Sequence, residues 1–461
     1  MRESEKALFH RYPEMEAKRM LVELLDEPDR YNHVLESYIS RITCRLAWGH
    51  SEASDELKQR ARELLIGVSP TGALPNKLPF LMALPDWLSP AKAWERRRAI
   101  TERTWFQSMQ SQVQKEINEK TASPSWMKIF LDGRSKWGFK SDMEGAYAVG
   151  MHGIAGALTI AAPMQTFCLA MAHYPQFLPM LHEELDRVCG DRPPVSEDRP
   201  NLPFLRAVIR ECFRWRPPVP TGIPHYLIQD DEYNGYHIPK GSTIHPLEWA
   251  ISRDPDMFPD PETFNPLRWV EPEYPTYQEP LTQFPTIINS TQFGYGRRTC
   301  QGQTVTDEDL LIGIGSIAWM FNISQKPDDV LAPDWTQPSK FDGIGLNEKA
   351  SISNEELNTG VSISEDATTK TMTAKKTEPA YKPLEWGDIT QKPSDPTLDY
   401  SILLIAKPIP FKFSLRPRDA ERTNKIRGLF KQGVERGEYT ESREYWGPNQ
   451  GRDKRLGWSK V

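Results

Sequence analysis

The run Phe293-Gly-Tyr-Gly-Arg-Arg-Thr-Cys-Gln-Gly302 governs most of what can be read from this chain. Three glycines bracket one cysteine, and two arginines, Arg297 and Arg298, stand just before it. Glycine lets a backbone turn tightly and lets a bulky group come close. The residues that follow, Thr304 to Phe321, have helical periodicity, with Asp307, Glu308 and Asp309 in the first turns. Cys300 therefore precedes a helix N-terminus and lies beside Arg charge, and both lower a thiol's pKa. The pattern predicts a thiolate, the form of cysteine that binds a metal. A Gly-rich turn around a buried structural cysteine is the plainer reading of the same residues, and the rest of the chain has to separate the two.

At 461 residues the chain can bury a large core, as one big domain or two to three small ones. Its 57 Lys and Arg against 63 Asp and Glu leave a charge of −6, which gives no general pull toward nucleic acid or anionic lipid. The five cysteines (Cys44, Cys168, Cys189, Cys212 and Cys300) are scattered and odd in number, without metal-clip spacing. That argues against a disulfide framework and for a reducing compartment. Forty prolines and a mean hydropathy of −0.60 predict long irregular connections. The first residues carry no apolar run, so neither a signal peptide nor an anchor is visible. Gly145 to Ala172 holds no Asp, Glu, Lys or Arg and is long enough to span a bilayer. Its His152, Thr159, Pro163, Gln165 and Thr166, among many small residues, predict a helix buried within protein instead.

Along the chain, residues 7–66 read as helical, with Leu21, Leu24, Leu25 and Val34, Tyr38, Ile39, Ile42 at helical spacing. A Pro-rich loop follows from Ser69 to Pro90, then a charged helix to about Lys120 and a polar linker to Ser141. After the uncharged helix come a helix through Phe177, Leu181, Leu185 and Val188, stopped at Gly190, and another from Leu202 to Trp215. In the latter, Glu211 and Arg214 share a face at i,i+3, a spacing that most often means a surface ion pair. Residues 230–241 alternate and turn like a small hairpin. From Gln325 to about Lys392, Ser, Thr, Glu, Lys and Asp dominate, and a largely disordered insertion is expected.

The spacing Phe293-x-x-Gly296-x-Arg298-x-Cys300-x-Gly302 resembles the haem-ligand loop of the cytochrome P450 monooxygenases, with five identities in register. Residues from about 125 to 325 follow that family in order and spacing. Glu211-Cys-Phe-Arg214 resembles its Glu-x-x-Arg helix, and Phe264-Asn-Pro-Leu-Arg-Trp269 the segment whose Arg closes a triad with that pair. Leu267 departs from the Glu usual there.

The resemblance implies a mainly α fold with small β-sheets and a haem b whose iron takes Cys300 as axial thiolate ligand. Arg298 and His225 are then propionate partners, Phe293 packs against the thiolate, and Gly296 and Gly302 shape the loop. Glu211, Arg214 and Arg268 form a buried structural network. Ala155-Gly156-Ala-Leu158-Thr159 resembles the oxygen-handling helix, where Ala155 and Gly156 make room beside the haem and Thr159 helps to pass protons. Leu158 stands in place of the usual acid, and a threonine that only bonds a carbonyl one turn back is a common alternative. Val149, His152, Gly153, Val219 to Ile223 and Ile402 to Leu404 are expected to line a largely apolar pocket.

The first residues resemble the region after the family's third major helix, so the fold is expected to lack its N-terminal part. Residues 1–325 are then the catalytic domain, 326–392 the insertion, 393–418 a C-terminal hairpin of that domain, and 419–461 a charged tail. The implied activity is monooxygenation of a small hydrophobic substrate in fungal secondary metabolism, with electrons from NADPH through a flavoprotein reductase and no nucleic-acid partner. The family implies the cytosolic face of the endoplasmic reticulum; with no anchor in this chain, a soluble cytoplasmic protein is the other expectation. An O₂-independent haem-thiolate isomerase or dehydratase, and a truncated non-catalytic relic, are the alternatives.

Overall fold

A computed structural model describes residues 7–69, 78–85, 88–325, 400–401 and 404–439. The expected insertion 326–392 lies outside the described residues, as do Ile402 and Leu403. The helical stretch near the start is three helices: α1 (Ala7–Asp26), α2 (Tyr31–Trp48) and α3 (Ser54–Val68). Pro28 opens a tight turn between the first two, and Gly49 ends α2 with φ 91°, a left-handed conformation that glycine adopts without strain. The charged helix is α4 (Pro90–Asn118).

The supposed polar linker contains a further helix, α5 (Trp126–Asp132). Its signal is a capping serine followed by a short apolar face: the Lys128 N–H donates to Ser125 Oγ at 3.1 Å, and Met127 and Phe130 are buried.

The uncharged stretch forms α6 (Asp142–Thr159) and α7 (Ala161–His173), separated by a turn at Ile160. Pro163 lacks the N–H that would bond the Thr159 carbonyl in a continuous helix, which accounts for the break. Taken as one run, Asp142–His173 is among the described residues the single helical stretch long and apolar enough to cross a membrane, and 83% of its most apolar window is buried inside the protein. α2 and α3 pack on α6, and α1 packs on α2. Two helices follow, α8 (Phe177–Cys189) and α9 (Pro203–Trp215); α9 packs on α7. The helix after the cysteine loop is α10 (Gln303–Met320), which packs on α1 and α8.

Among the described residues the sheets are three antiparallel pairs. β1 (His225–Tyr226) pairs with β4 (Thr243–Ile244), β2 (Asp231–Tyr233) with β3 (Tyr236–Ile238), and β5 (Phe321–Ser324) with β6 (Ser414–Pro417). Tyr400 and Pro408 form an isolated antiparallel bridge, so the chain folds back on itself just before β6. After Asp419, where only a charged tail was expected, the chain forms α11 (Ala420–Glu435). Asp419 caps it by accepting the Arg422 N–H at 2.7 Å. Ile426 and Phe430 are buried, and Tyr439 donates its hydroxyl to the Met15 carbonyl at 2.6 Å, closing the chain back onto α1. Charged residues on the outer face of an amphipathic helix concealed a buried stripe one residue wide.

Candidate functional site

The cysteine loop is built from turns. Gly294 (φ 79°) and Gly296 (φ 61°) take left-handed conformations that a side chain would strain. The Cys300 N–H donates to the Phe293 carbonyl at 2.7 Å and closes the loop. Thr299 Oγ1 donates to the Phe293 and Gly294 carbonyls at 3.2 and 3.3 Å. Phe293 packs against the core, its ring 5.7 Å from that of Phe213 on α9, a partner that no feature of the sequence pattern announced. Gly302 is the N-cap of α10, and its N–H donates to Cys300 Sγ at 3.3 Å.

Cys300 is exposed, yet protein atoms crowd enough of its surroundings to push the thiol above its ordinary value; the Gly302 N–H offsets this only in part. In the protein alone, Arg charge and the helix terminus do not offset this burial. Burial outweighs the single N–H, and neither Arg297 nor Arg298 counts among the causes. A cation at sulfur is what converts such a thiol to the thiolate. The four other cysteines are buried, and burial pushes Cys168 and Cys189 up to about 12.

Arg298 and His225 are exposed, and neither side chain has a hydrogen-bond or ion-pair partner among the described residues. His225 is held by the β1–β4 pairing opposite Ile244. An exposed sulfur with an N–H directed at it, and two basic side chains with no protein partner, fit a haem iron and its carboxylates.

Beneath the loop lies a closed polar network. Arg214 Nε and Nη2 donate to the two oxygens of Glu211 at 2.9 and 2.7 Å, and Arg268 Nε adds a third bond at 3.1 Å. The Asn265 N–H and the Trp269 indole N–H complete the carboxylate, each at 2.9 Å. Glu211, Arg214 and Arg268 are all 1% exposed or less. The remaining guanidinium hydrogens of Arg214 reach the carbonyls of Ser252, Pro261 and Thr263. The i,i+3 spacing here marks a buried pair rather than the more frequent surface one.

On α6 a stripe through His152, Ala155, Gly156 and Thr159 is exposed or half-buried on a helix whose other faces are largely buried. Thr159 Oγ1 donates to the Ala155 carbonyl at 2.9 Å, the back-bond its residue type favours, which leaves the hydroxyl oxygen able to accept. Gly156 also serves the packing of the helix. A Cβ there would meet Thr43 Cγ2 of α2 at 3.1 Å, so the glycine lets two helices approach. Val149 and Gly153, expected in the pocket, are buried: Val149 belongs to the core between α2 and α6, and a Cβ on Gly153 would meet Trp48 and Ala47. Leu158 is 6% exposed in the same core, so the position lacking the acid points away from the stripe.

Among the other expected pocket residues, Thr221 and Ile223 are exposed. The segment is tied to the turn around Leu404 by the Ala406 N–H, which donates to the Pro218 carbonyl at 2.8 Å. A separate cavity of about 240 Å³ lies between α1 and the start of α10, lined by Phe9, His10, Leu46, Arg199 and Asp309 among others; none of the expected site residues borders it.

A family model described as cytochrome P450 matches residues 30–349. The chain is 34% identical over 325 residues to cytochrome P450 monooxygenase virE of Hypocrea virens, covering 69% of this chain and 59% of that protein. It is 31% identical over 328 residues to cytochrome P450 monooxygenase fogE of Aspergillus ruber, covering 69% and 60%. The chain thus spans about 60% of the length of these curated relatives. A zebrafish cytochrome P450 solved with abiraterone aligns over 73% of this chain and 75% of its own, with TM-score 0.55 and 21% identity, a likeness of fold.

Proposed function

The chain belongs to the cytochrome P450 family, and from that premise we propose that it is a haem-thiolate monooxygenase that inserts one oxygen atom from O₂ into a small hydrophobic substrate of secondary metabolism. The observation that carries the reading is the Cys300 loop, with its sulfur exposed and the Gly302 N–H directed at it. Haem iron, when bound, supplies the activation of O₂.

The protein's own part is to hold and shield. Cys300 ligates, and the Gly302 N–H shares the charge of its sulfur, which tunes a metal through its ligand. Arg298 and His225 orient the cofactor through its carboxylates. Phe293, packed on Phe213, keeps water from the sulfur side. Thr159, its hydrogen committed to the Ala155 carbonyl, accepts a hydrogen bond and so steadies a water that brings a proton to the site. Electrons come from NADPH through a flavoprotein reductase, and the protein works at the cytosolic face of the endoplasmic reticulum. The likeness of the segment Arg214 to His225 to fungal members acting on secondary metabolites supports an aromatic, polyketide or alkaloid-type substrate.

Haem-loaded full chain with reductase, NADPH and ¹⁸O₂, offered a panel of such substrates, is expected to yield a product carrying one ¹⁸O. Turnover that persists without O₂ or NADPH would replace this reading with an O₂-independent rearrangement.

A further inference from the structure

The exposed stripe of α6 carries a single strong hydrogen-bonding ring. His152 Nδ1 lies 2.6 Å from the Ala148 carbonyl. A carbonyl can only accept, so Nδ1 carries the hydrogen and Nε2 of the neutral ring is an acceptor. The Trp126 ring meets the imidazole edge-on, centroids 6.2 Å apart at 71°, which fixes its plane. His152 is exposed, and Nε2 has no partner among the described residues.

Its neighbours one turn away or adjacent on this face of α6 are Ala148, Met151, Ala155 and Gly156, all apolar, so the ring is the polar side chain on that part of the helix. Seven residues on, about 10 Å along the axis, lies Thr159. An apolar wall with one fixed acceptor distinguishes molecules by whether they bring a donor to it, since a polar group left unpaired against an apolar wall is penalised.

We propose that His152 reads a hydrogen-bond donor on the substrate, a hydroxyl or N–H group about 10 Å from the position served by Thr159. This rests on the monooxygenase reading for which face of α6 meets the substrate. It narrows the class to hydrophobic molecules that already bear a phenolic or alcoholic hydroxyl or an N–H before oxidation. The preceding reaction must therefore leave such a group in place.

The test uses haem-loaded full chain and two probes that differ by one donor, 4-phenylphenol and 4-methoxybiphenyl, with binding followed by calorimetry. The native protein is expected to bind the phenol roughly three- to tenfold more tightly than the ether, the range of one neutral hydrogen bond. His152→Phe should erase the preference while still binding the ether. His152→Gln, whose amide oxygen can accept, should restore part of it. Equal discrimination in native protein and His152→Phe overturns the proposal, and so does failure of the native protein to bind either probe. Haem content and the CO spectrum of the same preparations report on the monooxygenase reading separately, so the two can fail independently.

Discussion

Glu211 accepts five hydrogen bonds in a site that no solvent reaches, and that number is what makes each partner costly to remove. Two guanidinium groups supply three of the five, and both are buried. A buried charge left short of a partner typically costs ~3–5 kcal/mol. Arg268→Ala is therefore expected to lower the unfolding free energy by about that amount and to reduce the yield of haem-loaded protein. Turnover per bound haem should stay near the native value. Native stability with poor turnover per haem would assign Arg268 to the chemistry instead.

At this scale the sequence was informative wherever spacing and order spoke together, as for Glu211, Arg214 and Arg268. It was silent on Trp269 and Asn265, because nothing in a linear pattern tells which way an indole or a backbone N–H points after a 3₁₀ turn. Leu158 shows the reverse limit. Its place in the motif was plain, yet only the packing shows that an aspartate there would be buried in the core that includes Trp48 rather than presented to the stripe.

Among the elements, α6 is the one whose composition and packing explain each other. Its glycines are sites of close approach: a Cβ on Gly150 would lie 2.2 Å from the Phe106 ring of α4, and one on Gly156 would press on Thr43. The Phe106 ring is itself fully buried between Trp105 and Tyr147, so it has little room to yield. Gly150→Ala should therefore destabilise the protein by ~1–3 kcal/mol, even though alanine is the better helix former. A denaturant titration reads this directly, and an unchanged or raised midpoint would show that α4 does not press on α6 as described.

The absence of charge from Gly145 to Ala172 made burial legible, but not which faces are buried against which helix. Small residues admit either a ligand or another helix, and the choice depends on contacts far away in sequence. α5 and α11 were missed for a related reason. Each hides a narrow buried stripe, Met127 and Phe130 or Ile426, Phe430 and Gly433, within a longer stretch rich in polar residues.

Over the whole molecule, the chain returns to its start. Tyr439 bonds the Met15 carbonyl, Arg45 donates to the Glu438 carbonyl at 3.0 Å, and Arg418 pairs with Asp186 of α8. Cys300 sits just before the N-terminus of α10, in a loop closed by its own bond to the Phe293 carbonyl, where its sulfur stays accessible. The mainly α class with small sheets was legible from helical periodicity and family resemblance. The closure through α11 was not, because contacts between residues some four hundred apart leave no mark on local pattern.

The account turns on one sulfur atom, and the measurement closest to it is the CO difference spectrum of reduced, haem-loaded protein. The native chain is expected to show the red-shifted Soret band of a thiolate adduct. Cys300→Ser should lose it, while Cys44→Ser, Cys168→Ser and Cys189→Ser, which alter buried thiols, should keep it. A Cys300→Ser protein that retains the native band would contradict the assignment of the ligand and the function built on it.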